Sequence, residues 1–220
     1  MPRPAPLHTS ISPLLLIAAA ALVLACGGGS ATTTSAPELT LSGLANQRIV
    51  LLPTYTMRIA PDLEWRSGIG RAAEVQRALD TEMTKALQDR GATKTWIFPE
   101  TLQQSYRRNA SYGADPYALA EEPLRAPTLA RMQRLPEPLA SQVRTIVALH
   151  EDARLLLAPV ELRFERAGAG FGRATLRLVL LDARASDVRW IGEVKTDSVA
   201  AYGPTLLADV ASRVADLVSK

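Results

Sequence analysis

The 220 residues contain one cysteine, two histidines and no apolar run long enough to cross a membrane. A single cysteine, Cys26, rules out any disulfide within the chain. Once residues 1–25 are set aside His150 is the only histidine, so metal sites built from His and Cys lack ligands. No Gly-x-Ser-x-Gly turn is present to raise a nucleophilic serine. Charge of one sign is also scarce. The formal charge is +3, and residues 26–220 hold 24 Lys and Arg against 22 Asp and Glu. Such near-balance argues against nucleic acid as a partner.

What is present begins at the amino terminus. Residues 1–12 are short and polar with Arg3 as a positive charge, and residues 14–24 (LLLIAAAALVL) are wholly apolar. This run has about half the roughly 20 residues that a membrane-spanning helix requires. A short apolar core between a positive start and small residues is the pattern of a secretory signal. It ends Val23-Leu24-Ala25-Cys26, which resembles the lipobox of bacterial lipoproteins; Leu24 is bulkier than the usual residue at its position. The resemblance implies cleavage between Ala25 and Cys26 and acylation of Cys26, with the membrane as the first partner. Each buried CH₂ contributes about 0.8 kcal/mol, so two or three acyl chains hold firmly where one does not. Residues 27–37 (GGGSATTTSAP) offer nothing to a core and read as a flexible tether. The expected organisation is a signal peptide at 1–25, a tether at 26–43 and a single domain at 44–220.

Within that domain, residues 48–55 (RIVLLPTY) read as a buried strand. Residues 71–90 read as a helix, with Ala72, Val75, Leu79, Met83 and Leu87 on one face and Gly91 at its end. Residues 93–98 (TKTWIF) read as a second strand, which makes a βαβ unit with parallel strands. The stretch 99–138 is broken by Pro116, Pro123, Pro127, Pro136 and Pro138 and gives only short helical pieces; residues 138–149 give a better helix. Residues 155–166, 173–182 and 188–199 read as a three-strand antiparallel meander, and 205–218 as an amphipathic helix. Centring the first hairpin on Ala169 places Val160, Leu162 and Phe164 opposite Leu178, Leu176 and Ala174. The same register sets Glu161 against Arg177 and Glu165 against Arg173. Centring the second on Ala185 pairs Leu180 with Trp190 and Arg177 with Glu193. The fold class is therefore α/β (α+β), a three-layer-like mixed sheet of about five strands flanked by helices.

Residues 48–53 (RIVLLP), 178–184 (LVLLDAR) and 188–192 (VRWIG) resemble a group of envelope proteins: LpoB-type activators of cell-wall synthases, CsgG-type curli lipoproteins and the amino-terminal domain of TolB. A phrase like LVDARTGEVLW.G recurs there at the last hairpin, and Ala185-Ser186-Asp187 stands here in place of Thr-Gly-Glu. Neither a propeller nor an insert long enough for a transmembrane hairpin is among these residues. The resemblance thus implies a fold and not a synthase-activating or pore-forming activity.

Chemistry-bearing residues are few. His150, beside Glu151 and Asp152, reads as a solvated helix end. Gly168-Ala169-Gly170-Phe171-Gly172 joins antiparallel strands with no helix after it, so it reads as a turn and not a phosphate loop. If the first two strands are parallel, their carboxyl ends share one edge of the sheet, where open α/β folds bind ligands. Trp65, Arg66, Tyr106, Arg107, Arg108 and Tyr112 follow those strands and form the candidate recognition surface. The leading expectation is a lipid-anchored, non-enzymatic envelope protein without cofactor or metal. It would bind a protein or cell-wall polymer in the periplasm from the outer membrane, with oligomeric assembly left open. The competing classes are a structural subunit of an envelope-spanning assembly or secretion system, and an envelope-polymer hydrolase whose carboxylates the sequence does not locate.

Overall fold

The run Ile-Val-Leu at residues 49–51 forms strand β1 (Ile49–Leu51), with all three side chains buried. Pro53 has no N–H to donate, and the strand stops short of it. The computed structural model describes residues 41, 44, 47–150 and 153–219; Cys26, the signal peptide and nearly all of the tether lie outside them. After an irregular step at 52–55 the chain resumes extension as β2 (Thr56–Ile59). The expected strand at 48–55 is therefore β1 alone, and the second strand, β2, lies beyond it. Helix α1 (Ala72–Asp89) follows, with Val75, Leu79, Met83 and Leu87 buried as expected and Ala72 exposed. Gly91 takes φ 93° just beyond it, the left-handed geometry that a residue without Cβ adopts at no steric cost. A 3₁₀ turn at Ala92–Lys94 occupies the start of the expected second strand, leaving β3 only Trp96–Ile97.

Helix α2 (Pro99–Arg108) starts on a first-turn proline, and α3 spans Leu139–Ala148. The meander comprises β4 (Leu155–Gly168), β5 (Phe171–Asp182) and β6 (Asp187–Lys195). Helix α4 (Pro204–Ser219) ends the described chain. The sheet order is β3-β1-β4-β5-β6, with β2 also paired to β4, so the sheet has six strands instead of about five. β1 is parallel to both β3 and β4, which bears out the βαβ unit. β2 is parallel to β4 further along, from Thr56 beside Glu161 to Ile59 beside Phe164.

The hairpin registers hold with one correction. Glu161 faces Arg177, Leu162 faces Leu176, Phe164 faces Ala174, and Leu180 faces Trp190. Leu178, however, lies opposite Pro159 and not Val160, because β4 carries a bulge between Pro159 and Glu161. The extra residue reverses which face each side chain takes. Leu156, Ala158 and Val160 lie in one core with Leu102, Leu139, Val143 and Ile146 of α2 and α3. Leu162 and Phe164 lie in the other, with Leu79, Met83, Val210 and Val214 of α1 and α4. The molecule is thus three layers: α1 and α4, the sheet, then α2 and α3.

The motif residues of the last hairpin have steric roles. A Cβ on Gly192 would fall 2.3 Å from ring atoms of Trp190, so the indole lies directly over that glycine. Ser186, where the related motif has glycine, takes φ 51° and is held by an Arg144 Nη1 hydrogen bond of 2.7 Å to its hydroxyl. Gly192→Ala should therefore displace Trp190 and lower stability by about 1 to 3 kcal/mol. Urea unfolding measures the cost, and indole fluorescence reports the move; an unchanged midpoint and spectrum would show that the ring does not lie there.

Candidate functional site

The chain leaves β1 and β3 at one edge of the sheet, as parallel pairing requires, but the expected aromatic–arginine surface does not assemble there. The β2 strand carries the segment after β1 along β4 to its far end. Trp65, 9% exposed, consequently joins the α1/α4 core and not a recognition surface. Its ring stacks on Tyr202 at 6.1 Å, meets Phe164 edge-on at 5.9 Å and covers Gly172, where a Cβ would come within 2.3 Å of it. Helix α2 packs by Leu102 into the opposite core. It carries half-buried Tyr106 and exposed Arg107 and Arg108, with exposed Tyr112 four residues beyond its end. Arg66 is exposed beside Trp65. His150 is part-buried after α3, and burial and Arg48 hold its pKa below the ordinary range.

A different group occupies the carboxyl edge. The turn after β1 is fixed by α1: Asp80 Oδ1 accepts hydrogen bonds from the Thr54 N–H at 2.8 Å and its hydroxyl at 2.7 Å. Gln76 Nε2 donates to the Tyr55 carbonyl at 2.7 Å, and the Tyr55 hydroxyl donates to the Pro116 carbonyl at 2.9 Å. Asp80 is 6% exposed, and its second oxygen, Oδ2, has no hydrogen-bond partner. Burial pushes its pKa up to about 6, against the lowering effect of the Thr54 bonds. Burial and the acids Glu121, Asp80 and Asp115 push the Tyr55 phenol well above its ordinary range.

Beside Asp80 opens a cavity of about 470 Å³ whose lining includes Arg77, Lys85, Glu100, Thr101 and Tyr117. That volume lies within the roughly 300–1,000 Å³ of small-molecule sites. Helix α2 begins at its wall without a side-chain cap. Pro99 has no N–H and Leu102 donates to the Phe98 carbonyl, which leaves the Glu100 and Thr101 amides at the helix's positive end. The one mark of Asp80 in the sequence is its place, as a charged residue, among Val75, Leu79 and Met83 on the buried face of a helix.

A second cavity of about 470 Å³, at the other end of the sheet, is lined by Arg48, Arg154, Asp182 and Arg189 among others. Its aspartate is already satisfied. Asp182 Oδ2 accepts from Arg154 Nε and Arg189 Nη2, each at 2.8 Å, while Oδ1 accepts from the N–H groups of Arg184 and Ala185 at 3.0 Å. Burial alone would raise the Asp182 pKa, yet Arg154, the Ala185 N–H and Arg189 hold it down at about 2. Arg189 also pairs with Asp187 at 3.0 Å. On the sheet, Arg163 joins Glu161, Glu165 and Glu193 at 2.7–3.2 Å. Arg177, opposite Glu161, instead donates to the Ala126 carbonyl at 3.0 Å. No group of His, Cys, Asp and Glu among the described residues is placed to hold a metal ion.

These two aspartates titrate with opposite signs. Asp80, raised in the folded state, binds its proton more tightly there than in the unfolded chain. Its effect is a loss of about 2 to 3 kcal/mol of stability as pH rises from about 4 to about 6. Urea midpoints across that window should show this loss in the wild type and its absence in Asp80→Asn, whose side-chain oxygen can still accept from Thr54. Asp182, lowered in the folded state, contributes stability that is complete above about pH 4 and lost as pH falls towards about 2. Asp182→Ala should cost about 2 to 3 kcal/mol at pH 7, allowing for the half-exposed Arg154. A midpoint within error of wild type would remove Asp182 as the hairpin's anchor.

Neither a protein-family model nor a curated protein matches this sequence. Solved structures of similar fold include the LpoB C-terminal domain from Salmonella enterica. It is 13% identical, with 68% of this chain and 82% of that one covered and a TM-score of 0.37. The PelC dodecamer from Paraburkholderia phytofirmans is 12% identical, with 80% and 90% covered and a TM-score of 0.36. Lipoprotein GNA1162 from Neisseria meningitidis is 12% identical, with 78% and 97% covered and a TM-score of 0.40. At such identity and TM-scores these likenesses assign this chain no role.

Proposed function

We propose that the chain is a lipid-anchored, non-catalytic binding protein of the cell envelope. It holds its α/β domain off the membrane on the tether after Cys26 and engages an envelope ligand at the carboxyl edge of β1 and β3. The observation that carries the binding reading is the cavity beside Asp80. There a buried acceptor without a partner, an uncapped helix start and two cationic side chains line one opening. The Thr54 bonds hold the Asp80 carboxyl group in place before a ligand arrives. The signal-like run at 14–24 and the lipobox-like residues 23–26 support the address, with the domain facing the periplasm from the outer membrane.

One observation favours a second reading, an envelope-polymer hydrolase. A carboxyl group held at about 6 is suited to donating a proton near neutral pH, and Glu100 lines the same cavity. Cleavage of cell-wall polymer that is lost in Asp80→Asn would select it over pure binding.

Cys26→Ser should move the protein from the membrane pellet to the soluble fraction and abolish palmitate labelling; a variant that still pellets and labels defeats the anchor. A photo-crosslinking residue at Thr101 should capture an adduct in intact cells that the same residue at exposed Glu64 does not. Equal capture at both positions, or none at either, would mean that the edge is not the binding site.

A further inference from the structure

Taken as the binding site proposed above, the cavity has walls of two kinds. The geometry points to a small zwitterion, an ammonium group with a carboxylate a short distance away, as its ligand: a free amino acid or a short unblocked peptide.

The first kind is an acceptor. Asp80 uses Oδ1 for both Thr54 bonds, which locks the carboxyl group in place, and leaves Oδ2 unpaired. An unpaired carboxylate oxygen in a residue 6% exposed carries a desolvation cost that a donor on a ligand would offset. An ammonium group is the donor that also matches its charge, and Glu100 at the same opening supplies a second negative charge.

The second kind, on the same two helices, is donors and cations. Arg77 and Lys85, on α1, line the cavity and form no ion pair among the described residues. The free amides of Glu100 and Thr101 at the start of α2 add two N–H donors and the positive end of the helix dipole. A carboxylate answers these groups. A simple cation would leave Arg77 and Lys85 unmatched, and a simple anion would leave Asp80 unmatched. The remaining titratable groups near Asp80 are the Tyr117 phenol on the cavity wall, with Tyr55 and Asp115 behind it. Burial raises both phenols, so they stay neutral while Asp80 ionises.

The test is calorimetric titration of the full chain, extracted in detergent, with alanine, alanyl-alanine, methylammonium and acetate. Saturable binding of alanine or the dipeptide is expected, with the better binder separating the amino-acid from the peptide source. Methylammonium or acetate alone should bind at least about tenfold more weakly, as should the zwitterion to Asp80→Asn, since a hydrogen bond to a charged group accounts for that factor or more. The exposed pair Arg77→Ala/Lys85→Ala should weaken the zwitterion similarly while leaving methylammonium unaffected, and it decides the matter if Asp80→Asn does not fold. Absence of saturable zwitterion binding overturns the inference, as does binding that keeps full affinity in the double variant. If crosslinking at Thr101 persists while every zwitterion fails, the ligand class falls and the binding edge stands; if both fail, so does the edge.

Discussion

The bulge at Val160 is the constraint on which the layers depend. Strand β4 runs 14 residues and meets parallel neighbours on one side and β5 along the other. A regular strand of that length would present the same alternation throughout. With one extra residue, the side chains before and after the bulge supply different cores at even-numbered positions: Leu156 and Ala158 face α2 and α3, while Leu162 and Phe164 face α1 and α4. Beyond the bulge the α2/α3 face turns polar, with Glu161, Arg163 and Glu165 in line and Arg58 pairing with Glu161 at 2.8 Å. The step between β1 and β2 falls beside this bulge, so the two strands dock on β4 as separate pieces.

Two buried aspartates then mark the two ends of the sheet, and their surroundings give them opposite chemistry. Asp182 is surrounded by donors, two guanidinium groups and two backbone N–H groups, so its charge is stabilised and its role is to close the β5–β6 turn. Asp80 receives two donors on one oxygen and none on the other. Its charge is costly, its pKa rises, and the residue lines an open cavity instead of a closed turn. The difference between an anchor and a site lies in how many donors reach the carboxylate.

Much of the architecture is legible in the residues themselves. The helix at 72–89 follows from apolar side chains three and four apart, and the hairpin registers follow from apolar and charged alternation that only one pairing satisfies. The breaks are less legible because backbone groups decide them. A proline at 53 and a bulge at 160 leave the apolar pattern locally intact while changing what each residue faces. That is why the sequence does not show β2 and why its alternation places Val160 opposite Leu178.

Local composition by itself determined the helices' apolar faces and the order of strand and helix, because each depends on neighbours within a few residues. Only the tertiary structure decided the site. Trp65 reads as an exposed aromatic beside an arginine until β2 carries it to Phe164 and Tyr202, which lie about 100 residues and more further on in sequence. Asp80 reads as one of many carboxylates until the turn at Thr54 claims one oxygen and burial isolates the other. Desolvation depends on every layer packed around a group, and no stretch of sequence states it.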